Sequence, residues 1–182
     1  MSLVLYEGEQ GPTEQFSFFV IAEDEDGIEN LDELYLYHDR EQLCWKIKND
    51  EWVSFVQNNK TWIGTRSITI QEGSLPRGIY RAVLVNKGGE RGERLFTFDA
   101  EVRHPFPKIE IENGMYTVKS EWSENRLVCY DKTGNYTSTV ELQSLSGPVS
   151  QLNLTSAVAT VALWAEDPAY FISAFTNVVP VR

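Results

Sequence analysis

The sequence predicts an all-β fold of two tandem β-sandwiches, and three observations lead there. Short runs rich in Val, Ile, Tyr, Phe, Trp and Thr recur along the whole chain, and no stretch keeps a helical apolar spacing beyond about 10 residues. Gly, Pro, Asn and Asp separate those runs. The segment Arg103-His104-Pro105-Phe106-Pro107 interrupts the series once, and a second series follows it.

In the first series the predicted strands are residues 15–22, 34–37, 43–48, 52–56, 67–70, 79–85 and 94–99. Strands this short, with turn residues between them, fit a sandwich. The pair 34–37 and 43–48 reads as a hairpin around Asp39-Arg40, or around a wider loop in the same register, setting Leu36 opposite Leu43, Leu34 opposite Trp45 and Glu33 opposite Lys46. Cross-strand neighbours share a face, so Leu34, Leu36, Leu43 and Trp45 form an apolar side, and Tyr35, Tyr37, Gln42, Cys44 and Lys46 form the other.

The proline pair at 105 and 107 removes two backbone donors and favours extended backbone, which suits a stiff connector. The domains are therefore expected at 1–102 and 103–182. The second series is 108–112, 115–122, 126–130, 136–142, 149–154, 157–163 and 169–176. Gly114, Lys132-Thr133-Gly134-Asn135 and Gly147-Pro148 supply turns. Tyr35-Leu36-Tyr37-His38-Asp39-Arg40 and Leu127-Val128-Cys129-Tyr130-Asp131-Lys132 echo each other, each a strand running into an Asp-basic turn.

Hydrophobic residues at 42% and aromatics at 12% supply packed cores. No run reaches the roughly 18 apolar residues of a membrane helix, so membrane insertion is not expected. With 16 Lys and Arg against 27 Asp and Glu the net charge is −11, and no basic stripe offsets it. Nucleic acid and anionic membrane surfaces are disfavoured as partners, because binding to phosphate relies on clustered Lys and Arg. Cys44 and Cys129 lie far apart and are expected to be buried, unbridged thiols.

Leu75-Pro76-Arg77-Gly78-Ile79-Tyr80, followed by Asn86-Lys87-Gly88-Gly89-Glu90 and the returning Leu95-Phe96-Thr97-Phe98, carries a resemblance. The first module resembles fibronectin-type-III and bacterial immunoglobulin-like modules, over most of residues 15–99. The resemblance implies that Tyr80 is a tyrosine corner, its ring in the core and its hydroxyl bonded back to the turn. It also implies a lipoprotein of the bacterial cell envelope, periplasmic or surface-exposed. Met1-Ser2-Leu3 shows no charged or apolar leader, and a signal segment is taken to have been removed ahead of it.

Catalytic patterns are sparse. His38 and His104 are the only histidines, no Cys-x-x-Cys accompanies them, and no Gly-x-Ser-x-Gly elbow is present. Gly88-Gly89-Glu90-Arg91-Gly92 lacks the Lys-Ser/Thr of a phosphate loop. The expectation is a binding protein, not an enzyme, with no cofactor. A hydrolase would need a nucleophile and base that converge only in space.

Glu23, Asp24, Glu25, Asp26, Glu29, Asp32 and Glu33 crowd one short segment. They support a solvated acidic loop or an irregular calcium site, with Asp24 and Asp26 the candidate ligands. The tryptophans Trp45, Trp52, Trp62, Trp122 and Trp164 read first as core. Tyr35 and Tyr37, turned away from the apolar side, are the candidate ligand-binding residues. The leading functional expectation is an interaction module binding a protein; the alternative is a carbohydrate-binding module with an aromatic platform and structural calcium.

Overall fold

In a computed structural model, which describes residues 1–23, 27–71 and 73–181, the chain is all-β. It runs β1 (Ser2–Gly8), β2 (Gly11–Ile21), β3 (Leu31–His38), β4 (Leu43–Lys48), β5 (Val53–Gln57), β6 (Lys60–Ile68), β7 (Gly78–Asn86) and β8 (Arg91–Phe98). It continues through β9 (Lys108–Glu112), β10 (Met115–Lys119), β11 (Glu124–Tyr130), β12 (Tyr136–Glu141), β13 (Ser146–Pro148), β14 (Thr160–Asp167), β15 (Ile172–Phe175) and β16 (Val179–Pro180). The only helical turns among the described residues are short 3-10 segments at Ile28–Asn30, Asp39–Glu41 and Val149–Leu152.

Two compact units form. One holds Met1–Ser2 and Gln15–Ala100; the other holds Leu3–Glu14 and Glu101–Arg182. Residues 3–14, which the sequence reading places in the first module, thus fold with the second series. The chain crosses from one unit to the other inside β2.

In the first unit, sheet β4-β3-β7-β8 faces β2-β6-β5. Phe16 and Phe18 of β2 meet Phe98 and Phe96 of β8 at ring-centroid distances of 4.4 and 4.9 Å, so aromatic side chains join the two sheets. Gly64 lies opposite Phe19, and a Cβ there would come within 2.0 Å of the Phe18 carbonyl oxygen, so only glycine fits this close strand approach. Tyr80 is fully buried, and its hydroxyl donates to the Pro76 carbonyl at 2.8 Å. The turn before it depends on Gly78, at φ +131°, a region that side-chain-bearing residues avoid. This is the tyrosine-corner geometry the resemblance implies.

The β3–β4 register differs from the expected one by two residues. Leu36 pairs with Trp45, Leu34 with Ile47 and Glu33 with Lys48. The turn is wider than Asp39-Arg40: His38 Nδ1 accepts from the Glu41 amide, and Gln42 turns the chain at φ 55°. A shift of two leaves every side chain on its expected face, because side chains alternate with period two.

In the second unit, β12-β11-β14-β15 repeats the order of β4-β3-β7-β8, and β13-β10-β9 forms the opposing sheet. The internal echo seen in the sequence falls on corresponding hairpins, β3–β4 and β11–β12. The core here is mainly aliphatic: Ile109, Val118, Leu127, Cys129, Leu152, Val158, Val161 and Leu163, with Tyr116. β1 pairs in parallel with β15, Leu3 opposite Ile172 and Tyr6 opposite Phe175, and buries Leu3 and Leu5. The connector at 103–107 is tied to this unit, since Trp122 Nε1 donates to the Pro105 carbonyl at 2.9 Å and the Arg103 guanidinium lies 3.9 Å over the Tyr170 ring.

Three strand expectations are corrected. The run 149–154 instead holds a 3-10 turn, Val149–Leu152, which follows β13 and ends at Asn153 in the left-handed region, φ 50°. The strand expected at 67–70 instead spans Lys60–Ile68, and β1, β13 and β16 are additional strands. Cys129 is buried, but Cys44 is exposed: it pairs with Tyr37 on the outward face. Both are free thiols.

Candidate functional site

Alternation along β3 buries Leu34, Leu36 and His38 and turns Tyr35 and Tyr37 outward, where both are half-buried. Their rings lie 5.8 Å apart and within 11° of parallel. A cation caps each ring. Lys46, opposite Tyr35 on β4, holds its ammonium 5.4 Å from that ring centroid. Arg81, opposite Tyr37 on β7, holds its guanidinium 4.4 Å from the other.

Carboxylates hold both cations. Lys46 pairs with Glu33 at 2.5 Å, and the Tyr35 hydroxyl donates to the same carboxylate. Arg81 donates to both oxygens of Asp39 at 2.9 and 2.8 Å and lies 3.5 Å from Glu93. Bonds from Lys46 and then Tyr35 lower the Glu33 pKa, and the Arg81 bonds lower that of Asp39. Lys46 and Arg81 are held more firmly protonated by the same pairs. Burial chiefly raises the Tyr37 phenol. The face therefore carries alternating charges around the two rings.

The face continues into apolar surface. Arg81 pairs with Leu95 of β8, and Ile79 lies two residues from Arg81 on the same face; each of these aliphatic residues is 65% exposed. Arg, Tyr and aliphatic side chains thus share one sheet face, the residue mix that favours protein contact. His38 lies on the opposite, buried face, its ring packed edge-on against Tyr80 at 4.7 Å.

Asp24 and Asp26 lie outside the described residues. Among the described residues no group of three or more His, Cys, Asp or Glu side chains stands together as a metal site.

Two aromatic groups escaped the sequence reading. Phe55 and Trp62, cross-strand partners on β5 and β6, stack 6.4 Å apart and within 7° of parallel, and Trp62 Nε1 is buried without a hydrogen-bond partner. In the second unit, Tyr6, Tyr130, Trp164 and Phe175 line one cleft. Trp164 is exposed, contrary to its reading as core, because β14 points Val161, Leu163 and Ala165 inward and leaves residue 164 outside. The sequence signal was weak: Val161-Ala162-Leu163-Trp164-Ala165 is apolar on both parities, so alternation does not choose the core side.

No family model and no curated protein matches this chain. Among solved structures, murine CEACAM1b is similar at 9% identity and a TM-score of 0.29, over 100% of this chain and 98% of that one. The BSP domain of a biofilm-associated protein is similar at 13% identity and a TM-score of 0.25, over 82% of this chain and 24% of that chain. No described helix is long and apolar enough to cross a membrane.

Proposed function

We propose that the chain is a non-enzymatic interaction module of the cell envelope, built of two sandwich domains, and that it binds a protein through the outer face of β4-β3-β7-β8. The observation that supports this is the arrangement around Tyr35 and Tyr37. The two rings face each other and their outer ends are occupied by Lys46 and Arg81, so neither offers a free platform on which a sugar could stack. What the face does offer is a pre-ordered set of charges with exposed Ile79 and Leu95 beside it, and pre-ordering lowers the entropy lost on association.

Cys44 gives the test a handle, because it is exposed on this face opposite Tyr37, whereas Cys129 is buried and its thiol pKa is raised by that burial. A benzophenone maleimide placed on Cys44 should photocross-link one saturable protein partner from envelope extract. Tyr35→Ser/Tyr37→Ser, with its fold checked by circular dichroism, should abolish that product. Cross-linking that persists in the double variant contradicts the assigned face.

A second reading, glycan binding, is favoured by Phe55 and Trp62 alone, whose near-parallel rings on an exposed strand pair suit stacking on a sugar. Loss of glycan-array binding in Phe55→Ser would support it; an array without hits would remove it.

A further inference from the structure

One row of side chains crosses the outer face of the second unit's larger sheet. It runs Tyr6 on β1, Phe175 on β15, Trp164 on β14, Arg126 on β11 and Glu141 on β12, each the cross-strand partner of the next. Beside its aromatic end lies a cleft of about 260 Å³ lined by Val4, Tyr6, Val128, Tyr130, Trp164 and Phe175. Ala162, two residues before Trp164 on β14 and opposite Val128, carries only a methyl group. The volume falls just below that of pockets for drug-sized ligands, about 300 Å³ and upward, and suits a single head group.

The rings that line the cleft are not coplanar. Trp164 meets Phe175 at 83° and 6.3 Å, and Tyr6 meets Phe175 at 63° and 6.1 Å. Perpendicular rings present π-faces from more than one side, the arrangement that holds a quaternary ammonium group. Coplanar rings would instead make a stacking platform.

The lining of the cleft is uncharged, and the nearest charges along the row are in carboxylate excess. Arg126, next in the row after Trp164, is engaged by Glu124, by Glu166 at 3.1 Å and by Glu141 at 3.8 Å, so one positive charge meets three negative ones. The chain as a whole carries −11. Elsewhere the protein seats its own cations on aromatic faces, Lys46 on Tyr35, Arg77 on Phe98, Arg81 on Tyr37 and Arg103 on Tyr170. Among the described residues none is seated in this way on Tyr6, Tyr130, Trp164 or Phe175, and Arg126 is held by its carboxylates.

We infer that this cleft is a binding site for a quaternary ammonium group, held by Tyr6, Trp164, Phe175 and Tyr130, with the carboxylates around Arg126 further along the same row. Tetrahedral methyl groups fill the apolar hollow, and their spread positive charge meets ring faces while the excess carboxylates act at longer range. The site lies in the other unit from the proposed protein-binding face and does not depend on it.

The test is titration of the intact chain with choline chloride, following the Trp164 indole N–H resonance, assigned by its loss in Trp164→Phe. Sodium chloride at equal ionic strength is the control. A parallel titration uses 3,3-dimethylbutan-1-ol, which has the shape of choline without its charge. The expected result is a saturable shift with choline, on the order of 5- to 30-fold tighter than with the neutral alcohol. Tyr6→Leu, which keeps the Trp164 reporter, should remove the preference for charge while leaving the alcohol bound. If that variant does not fold by circular dichroism, Phe175→Leu takes its place. Sedimentation with phosphatidylcholine vesicles, but not with phosphatidylglycerol vesicles, would assign the group to a lipid head; choline binding without sedimentation would assign it to a free solute. Equal affinity for choline and the alcohol, or no saturable shift with either, overturns the inference.

Discussion

β8 and β15 occupy the same place in the two units, each following the central pair in sheets of identical order, yet their outer edges are handled in opposite ways. β15, Ile172-Ser173-Ala174-Phe175, carries no charge, and β1 covers its edge. β8 ends its sheet among the described residues, and its exposed residues include Arg91, Glu93 and Arg94. A bare strand edge invites pairing with other chains, and proteins prevent this either by covering it or by charging it. This chain does one in each unit, which makes the N-terminal strand a structural part of the second unit and leaves the first unit's edge open.

The largest expected effect comes from the covered edge. Leu5 of β1, paired with Ala174 of β15, is buried, so Leu5→Ala should cost about 2–5 kcal/mol in urea denaturation. A loss under about 1 kcal/mol would mean that β1 only rests on β15 without contributing to its core. In the first unit stability is concentrated elsewhere, at the buried Tyr80 and its bond to Pro76. Tyr80→Phe should cost about 0.5–1.5 kcal/mol, the net worth of one hydrogen bond, and should leave the second unit's exchange protection unchanged.

How far these differences could be read beforehand depends on where each partner lies in the sequence. The tyrosine corner was legible because every participant falls between Leu75 and Tyr80. The outward direction of Tyr35 and Tyr37 was also legible, and it survived a two-residue error in register because parity alone decides the face. The role of β1 was not, since Leu3 finds Ile172 at the far end of the chain and nothing local in Leu3-Val4-Leu5-Tyr6 names that partner. The aromatic cleft was hidden for the same reason: Tyr6 and Trp164 become neighbours only through β15.

The charged edge gives a smaller effect on stability and a larger one on association. Arg91→Val/Glu93→Val should stay within about 0.5 kcal/mol of the parent in unfolding, because both sites are exposed. The same variant should form higher species in size-exclusion chromatography at raised concentration. An unchanged monomer-to-oligomer ratio would show that the charges are not what protects β8.

The smallest effect distinguishes the two Asp-basic turns. Asp131 accepts from the Thr133 hydroxyl at 2.7 Å and from the Thr133 and Asn135 amides at 2.8 and 2.9 Å, which lowers its pKa from 3.8 to about 2. Asp39 is lowered instead by the charge and bonds of Arg81. Because both folded-state values are depressed, each contribution to stability is complete above about pH 4 and is lost as pH falls through the folded-state pKa. Salt at about 1 M should raise the Asp39 midpoint toward its ordinary value and leave Asp131 nearly unmoved, since neutral donors are not screened. Carboxyl chemical shifts followed by NMR would read both, and equal movement would contradict the assignment.

The division of labour between the two edges is tested most directly by amide hydrogen exchange on the unmodified chain. Exchange protection reports which strands open only when the core opens. The ladder-bonded amides of Leu3–Tyr6 should be protected to the same degree as those of Leu127 and Leu163 in the core of the second unit, while the outward amides of β8 exchange orders of magnitude faster. Fast exchange throughout Leu3–Tyr6, beside a slow β14, would contradict the assignment of the N-terminal strand to the second unit.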